Sequence, residues 1–197
     1  QVSETITQRG GTCSVVVGDI TDEETITGLV NHATEDFGSL DIWVSNAGTS
    51  DHPGHFSFDE FPSWHWDQQI ALNLRPHFIA AKACAEVMQP GSSIIGISSI
   101  ASLRAAVRFA GYGAAKAGMN NLSQTLAIEL APQVRVNCVC PGYVDTDMVR
   151  RDNIEKAADP AAEEQRLLSM APLRRLADPS EVGNVIAFLA SDHAKNV

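Results

Sequence analysis

Ser99-Ile100-Ala101-Ser102-Leu103-Arg104-Ala105-Ala106-Val107-Arg108-Phe109-Ala110-Gly111-Tyr112-Gly113-Ala114-Ala115-Lys116 sets a serine just past an apolar run, then a tyrosine and a lysine four residues apart. Residues at i and i+4 of a helix share a face, so this spacing brings the Lys116 ammonium beside the Tyr112 phenol. A free phenol titrates near pH ~10. Proton exchange near neutrality therefore needs roughly 3 units of phenolate stabilisation, about 4 kcal/mol, part of which an adjacent cation supplies. The pair alone also suits an ordinary helix with a packed tyrosine and a solvated lysine, so its surroundings decide.

Outward from this stretch, short strand-like runs alternate with longer helical ones. Strands are predicted at Cys13-Ser14-Val15-Val16-Val17-Gly18, Leu40-Asp41-Ile42-Trp43-Val44, Ser93-Ile94-Ile95-Gly96-Ile97 and Val134-Arg135-Val136-Asn137-Cys138-Val139. A capping pattern at Thr21-Asp22-Glu23-Glu24 opens a helix to about Phe37-Gly38, and Gln1 to Arg9 reads as the tail of a helix ending at Gly10-Gly11. A long helix runs from about Pro62 through Met88, bent at Pro76, and another from about 111 to 131. Asp178-Pro179-Ser180-Glu181 has N-cap, first-turn proline and third-position glutamate in order and opens a last helix to Ala190. Strands without polar alternation, separated by helices, imply an α/β fold: a parallel sheet covered on both faces, in one domain. Ligands of such sheets bind at the carboxyl ends of the strands, where Asp19, Asn46-Ala47-Gly48, Ser98-Ser99 and Pro141-Gly142-Tyr143-Val144-Asp145-Thr146 fall.

Composition narrows the partners. The chain has 197 residues and a formal net charge of -10, and its pI is near 4.9, which argues against nucleic acid or an anionic membrane, both of which need a basic face. No apolar run is long enough to span a bilayer, and the expected location is cytoplasmic. Cys13, Cys84, Cys138 and Cys140 form no Cys-x-x-Cys pair, and small buried thiols are expected rather than disulfides or metal ligands.

The ordered set of Asp19, Asn46-Ala47-Gly48, Asn73, Ser99, Tyr112 with Lys116, and Pro141-Gly142 with Thr146 resembles the short-chain dehydrogenase/reductase family over nearly the whole chain. The stretch from Pro172 to Val182 resembles that family's approach to its last helix. The resemblance implies a Rossmann-like doubly wound sheet and hydride transfer between NAD or NADP and a small-molecule secondary alcohol or ketone. It implies Tyr112 as the acid/base on the substrate oxygen, with Ser99 orienting that oxygen. Lys116 is implied at the nicotinamide ribose and beside the phenol, and Asn73 holds a water that leads protons from Lys116 to solvent. Asp19 is expected at the adenine, Asn46, Ala47 and Gly48 along the cofactor, Pro141 and Gly142 beside it, and Val144 and Thr146 at the carboxamide. A homodimer or homotetramer is implied, pairing the helix that carries Tyr112 and the one ending near Met88. Small residues at Ala114, Ala115, Ala117 and Gly118 suit close helix approach.

The family's opening strand, glycine-rich turn, helix and second strand have no counterpart in this sequence, nor does its final strand. Residues 1–197 are thus expected to be a partial dinucleotide-binding domain with a gap in the sheet between residues 13–18 and 40–46, and the choice between NAD and NADP is unreadable. A homologue that keeps the fold without turnover is the rival reading. A serine hydrolase is a third, but Ser99 lacks a Gly-x-Ser-x-Gly elbow.

Other residues have blander explanations. Asp19 also suits a plain turn, Asn73 a kink beside Pro76, and Ser98 a structural role. His52, His55 and His65 with Asp51 and Asp59 fit a pocket-lining loop better than a metal site. Arg150-Arg151 and Arg174-Arg175 are expected to be solvated, and Phe61, Trp64 and Trp66 to pack the long helix.

Overall fold

The computed structural model describes residues 2–50 and 56–197. Its elements are α1 (Val2–Gln8), α2 (Glu23–Phe37), β1 (Ile42–Ser45), α3 (Ser63–Asn73), α4 (Arg75–Val87), β2 (Ser92–Ile97), α5 (Ala110–Glu129), β3 (Val134–Val139), α6 (Asp147–Val149), α7 (Pro160–Met170) and α8 (Pro179–Ala190). Among the described residues the strands form one parallel sheet in the order β1-β2-β3.

The centre of the sheet is β2, where Ile94 and Ile95 are wholly buried. Successive strand residues face opposite sides. Ile94 joins Val30, Ala81, Cys84, Met88, Val134 and Val136 in the core beneath α2, α4 and α5. Ser93 faces the other way, with its hydroxyl on the Leu189 carbonyl of α8. Both faces of β2 are therefore covered, as a strand without polar alternation requires.

The helix ends follow the expected chemistry. Asp22 caps α2 by accepting from Glu24 N, and Gly38 closes it in the left-handed region at φ 82°. At α8 the capping box is complete, Asp178 accepting from the first turn while Glu181 accepts from the Asp178 N–H.

Three expectations need correction. Residues 13–18 form no strand: Val15 and Val17 are 66% and 95% exposed, Ser14 Oγ pairs with His32 Nε2 of α2 at 2.7 Å, and Gly18 is pressed against Thr25. These contacts hold the segment along α2, and a β-prone sequence has no ladder to join where no strand edge runs beside it. The outer edge of β1, with Ile42 and Val44 47% and 38% exposed, carries no partner among the described residues. Second, the long helix is two helices, broken at Leu74 (φ −125°, ψ −55°) with Pro76 in the first turn of α4, because proline starts a helix more readily than it continues one. Third, Trp66 is 42% exposed rather than packed, since the inward side of α3 is taken by polar residues, whereas Trp64, though 55% exposed, sets its ring 5.2 Å from His65 and 6.2 Å from Phe56. Phe61 does pack, 5.3 Å from the His65 ring.

Of the four thiols, all free, only Cys84 is fully buried, and burial pushes it up to about 12. Cys138 and Cys140 donate to one atom, Asn120 Oδ1, at 3.3 and 3.5 Å.

Candidate active site

The carboxyl ends of β1, β2 and β3 and the first turns of α5 converge. Ser98 N donates to Val139 O at 2.7 Å, and Ile100 N donates to Pro141 O at 2.8 Å, tying the Ser99 turn to the Pro141-Gly142 turn. Ser98 has the structural role expected, its hydroxyl donating to the Lys116 carbonyl. Ser99 Oγ accepts from Ala101 N at 3.1 Å, which leaves its own hydrogen to donate to an oxygen in the site.

Tyr112 and Lys116 stand one turn apart on α5 and are 9% and 4% exposed. The Tyr112 ring packs edge-on against Phe109 at 5.9 Å. Lys116 Nζ lies 5.7 Å from the centre of the Tyr112 ring and donates to the Ile97 carbonyl at 2.8 Å. Burial lowers the lysine to about 8, because a desolvated ammonium loses more than one carbonyl returns.

Asn73, 1% exposed at the end of α3, reaches across to the turn after β1: its Oδ1 accepts from Thr49 N at 3.1 Å. A Cβ placed on Gly48 would stand 2.7 Å from Asn73 Oδ1 and 3.5 Å from Lys116 Nζ. Gly48 is thus the point where the turn after β1, the end of α3 and the lysine meet. Asn46 and Ala47 precede it, exposed.

Beyond β3, Gly142 has open space where a Cβ would be, and Val144 bridges to Ala177. Thr146 caps α6, its Oγ1 accepting from Val149 N. This arm closes over its own cluster of Ile154, Leu167 and Leu176.

The family model described as enoyl-(acyl carrier protein) reductase matches residues 1–197. The chain belongs to the short-chain dehydrogenase/reductase family. It is 36% identical to cis-4-hydroxycyclohexanecarboxylate dehydrogenase of Sinomonas cyclohexanicum, over 91% of this chain and 70% of that one. It is equally identical, 36%, to L-rhamnose 1-dehydrogenase (NAD(P)(+)) of Azotobacter vinelandii, over 100% and 75% of the two chains. The crystal structure of NAD+-bound xylitol dehydrogenase superposes with a TM-score of 0.89 at 28% identity, covering 99% of this chain and 79% of that one. This short-chain dehydrogenase/reductase is an NAD(P)-dependent oxidoreductase.

The residues present suit the nicotinamide riboside half of that cofactor. Gly48 has no space for a side chain against Asn73, which keeps its backbone close to the buried Lys116 ammonium, a donor for ribose hydroxyls. Asp19 is the residue expected at the adenine. Asp19 is exposed and accepts from Thr21 N and Oγ1 at 2.8 and 2.9 Å, which holds its carboxylate low. This is the plain turn geometry that the residue type also allows.

Among the described residues no group of three His, Cys, Asp or Glu could hold a metal. His65 is buried against Phe56 and Phe61, while Asp51, His52 and His55 lie outside the described residues. The arginines are paired more than expected: Arg150 forks onto Asp145 and reaches Glu164 at 2.6 Å, and Arg175 holds Glu181 at 2.6 Å.

Sequence reasoning passed over a buried polar chain under the site. Trp43 Nε1 donates to Ser45 Oγ at 2.9 Å, Ser45 Oγ meets His77 Nδ1 at 2.9 Å, His77 Nε2 meets Ser123 Oγ at 3.0 Å, and Ser123 Oγ donates to Met119 O at 2.8 Å. It ties β1, α4 and α5 together immediately before Asn46.

Proposed function

We propose that the chain moves a hydride reversibly between NAD or NADP and a secondary alcohol or ketone, with Tyr112 exchanging the proton at the substrate oxygen. Ser99 donates to the same oxygen. Lys116 binds the nicotinamide ribose hydroxyls, and its charge stabilises negative charge that develops on the phenol oxygen. Asn73 holds a water through which protons reach solvent. Asn46, Ala47, Gly48, Pro141, Gly142, Val144 and Thr146 line the cofactor. When bound, the nicotinamide supplies or takes up the hydride, and the protein contributes position and electrostatics.

The observation that carries this reading is the meeting of Gly48, Asn73 and Lys116 beside Tyr112, a lysine kept buried on one carbonyl with a turn packed against it that admits no side chain. A lysine that only packed would have its ammonium at the surface. The relatives named for a hydroxycyclohexanecarboxylate and for rhamnose support a small alcohol as substrate.

We place the protein in the cytoplasm as a homodimer or homotetramer. Among the described residues no helix is long and apolar enough to cross a membrane. Ile70, Leu74, Phe78 and Leu122 line an apolar groove between α3, α4 and α5, and Phe78 is 52% exposed. Gly118 lets Leu74 come within 2.9 Å of its missing Cβ. Residues 1–197 act as part of a dinucleotide-binding domain.

The test is the absorbance change of the nicotinamide on a panel of secondary alcohols and ketones, with NAD and NADP in turn. Turnover lost in Tyr112→Phe supports the assignment. No turnover with any pair overturns it.

A further inference from the structure

The inward face of α3 is polar along its length. His65, Gln69 and Asn73 stand at successive i, i+4 positions, and none is more than 1% exposed, although a helix face turned to a core is ordinarily apolar.

The bonds along this row fix both amides. Asn73 Nδ2 donates to the Gln69 carbonyl at 3.2 Å and to Gln69 Oε1 at 2.9 Å, which directs Asn73 Oδ1 to Thr49 N. Gln69 Oε1 is thereby committed to Asn73. Its Nε2, equally buried, has no hydrogen-bond partner among the described residues. Turning the Gln69 amide over would set Nε2 against Asn73 Nδ2, donor against donor, and would strand the asparagine as well. A buried amide N–H without an acceptor forfeits the hydrogen bond it made to water, and a leucine of similar size would avoid that loss. The Gln69 stem also sets the position of α5: a Cβ on Gly111, the residue before Tyr112, would stand 3.0 Å from Gln69 Cγ.

Resting on the proposed oxidoreductase function, we infer that Gln69 is a positioning residue of the proton path, which locks the Asn73 amide with Oδ1 toward Thr49 and Lys116 and holds the oxygen of a buried water at Nε2. Oxidation of an alcohol by NAD(P) releases one proton per turnover, and reduction of a ketone consumes one, so the site must exchange a proton with solvent in each cycle. A water suits Nε2 because it accepts there and keeps two hydrogens to pass on. The lock suits Asn73 because a flipped amide would turn Nδ2, a donor, toward the Thr49 N–H and the lysine.

The experiment compares Gln69→Leu and Gln69→Glu with the wild-type chain for kcat, cofactor KM, solvent deuterium isotope effect and thermal midpoint. Gln69→Leu is expected to lower kcat about tenfold, a fraction of the 10²–10⁴ lost with a direct proton-transfer group. The solvent isotope effect rises, while KM changes little and the midpoint holds or increases. Gln69→Glu keeps an acceptor for Asn73 and recovers part of kcat. A role in packing alone would leave kcat and the isotope effect of Gln69→Leu at wild-type values, and that result overturns the inference. Absence of turnover in the wild type strikes the proposed function instead. In that case a high-resolution crystal structure reads Gln69 directly. A water within about 3.2 Å of Nε2, absent in Gln69→Leu, supports the inference, and a dry Nε2 overturns it.

Discussion

His77 Nε2 lies 3.0 Å from Ser123 Oγ, and the proton in that bond belongs to the histidine. The Ser123 hydrogen is already given to Met119 O, so its oxygen must accept. The other ring nitrogen therefore accepts from Ser45, whose oxygen in turn takes the Trp43 N–H. Every member is satisfied only when the imidazole is neutral with its proton on Nε2. Burial, with a smaller contribution from the Lys116 charge, lowers His77 to about 4.

The first prediction is a loss of stability in acid. The unfolded histidine takes up its proton near pH 6.5 and the folded one near 4, so between those values the unfolded state binds more protons and stability falls as pH falls. The loss reaches about 3 kcal/mol by pH 4 at 1.36 kcal/mol per unit. Urea midpoints at pH 7 and pH 4.5 should therefore draw closer together in His77→Leu, whatever its absolute stability. An acid slope equal to the wild type would show that another group is responsible.

Tyr112→Phe keeps the ring against Phe109 and removes only the hydroxyl. Turnover should fall by about 10²–10⁴ or more with cofactor binding little changed. Steady-state kinetics with a cofactor titration separate the two quantities, and near-normal kcat would end the role given to Tyr112.

Gly48→Ala places a methyl 2.7 Å from Asn73 Oδ1, an atom held by its bond to Thr49 and by the bonds of the same amide to Gln69. Overpacking of this kind costs about 1–3 kcal/mol. The thermal midpoint should drop and the KM for NAD or NADP should rise, because the displaced loop is the one proposed to line the cofactor. Unchanged values of both would mean that the turn after β1 has room to spare.

Phe78→Glu tests the proposed assembly. The side chain is half exposed on α4 beside Leu74 and Leu122, so a charge there should leave the protomer folded and shift light scattering toward the monomer. A wild type that is monomeric at micromolar concentration would contradict the proposal directly.

How far the sequence was legible depends on where each residue finds its partners. Ile94, Ile95 and the Tyr112/Lys116 turn were readable because a buried strand and an i, i+4 pair carry their own periodicity. The capping box from Asp178 to Glu181 was readable because its bonds close within four residues. Val15 to Val17 misled because β propensity describes what a segment can join, not whether an edge runs beside it. His77 and Gln69 were invisible for a different reason. Polar residues at helical spacing look like a solvated face, and the bonds that make His77 an interior residue come from 32 and 46 positions away.

The register of the sheet also sets an order of events at synthesis. Ile42 pairs with Ser93, and Ile94 pairs with Val136, so each contact closes a loop of about fifty and about forty residues. Loop closure comes before any reward from pairing, which makes such sheets slow to form. At about 5–20 residues per second, β2 leaves the ribosome roughly 2–8 s before the strand that will cover its far edge. For that interval Ile94 and Ile95 are open to chaperones or to neighbouring chains. The segment most at risk of capture while the chain is being made is the one that ends most deeply enclosed.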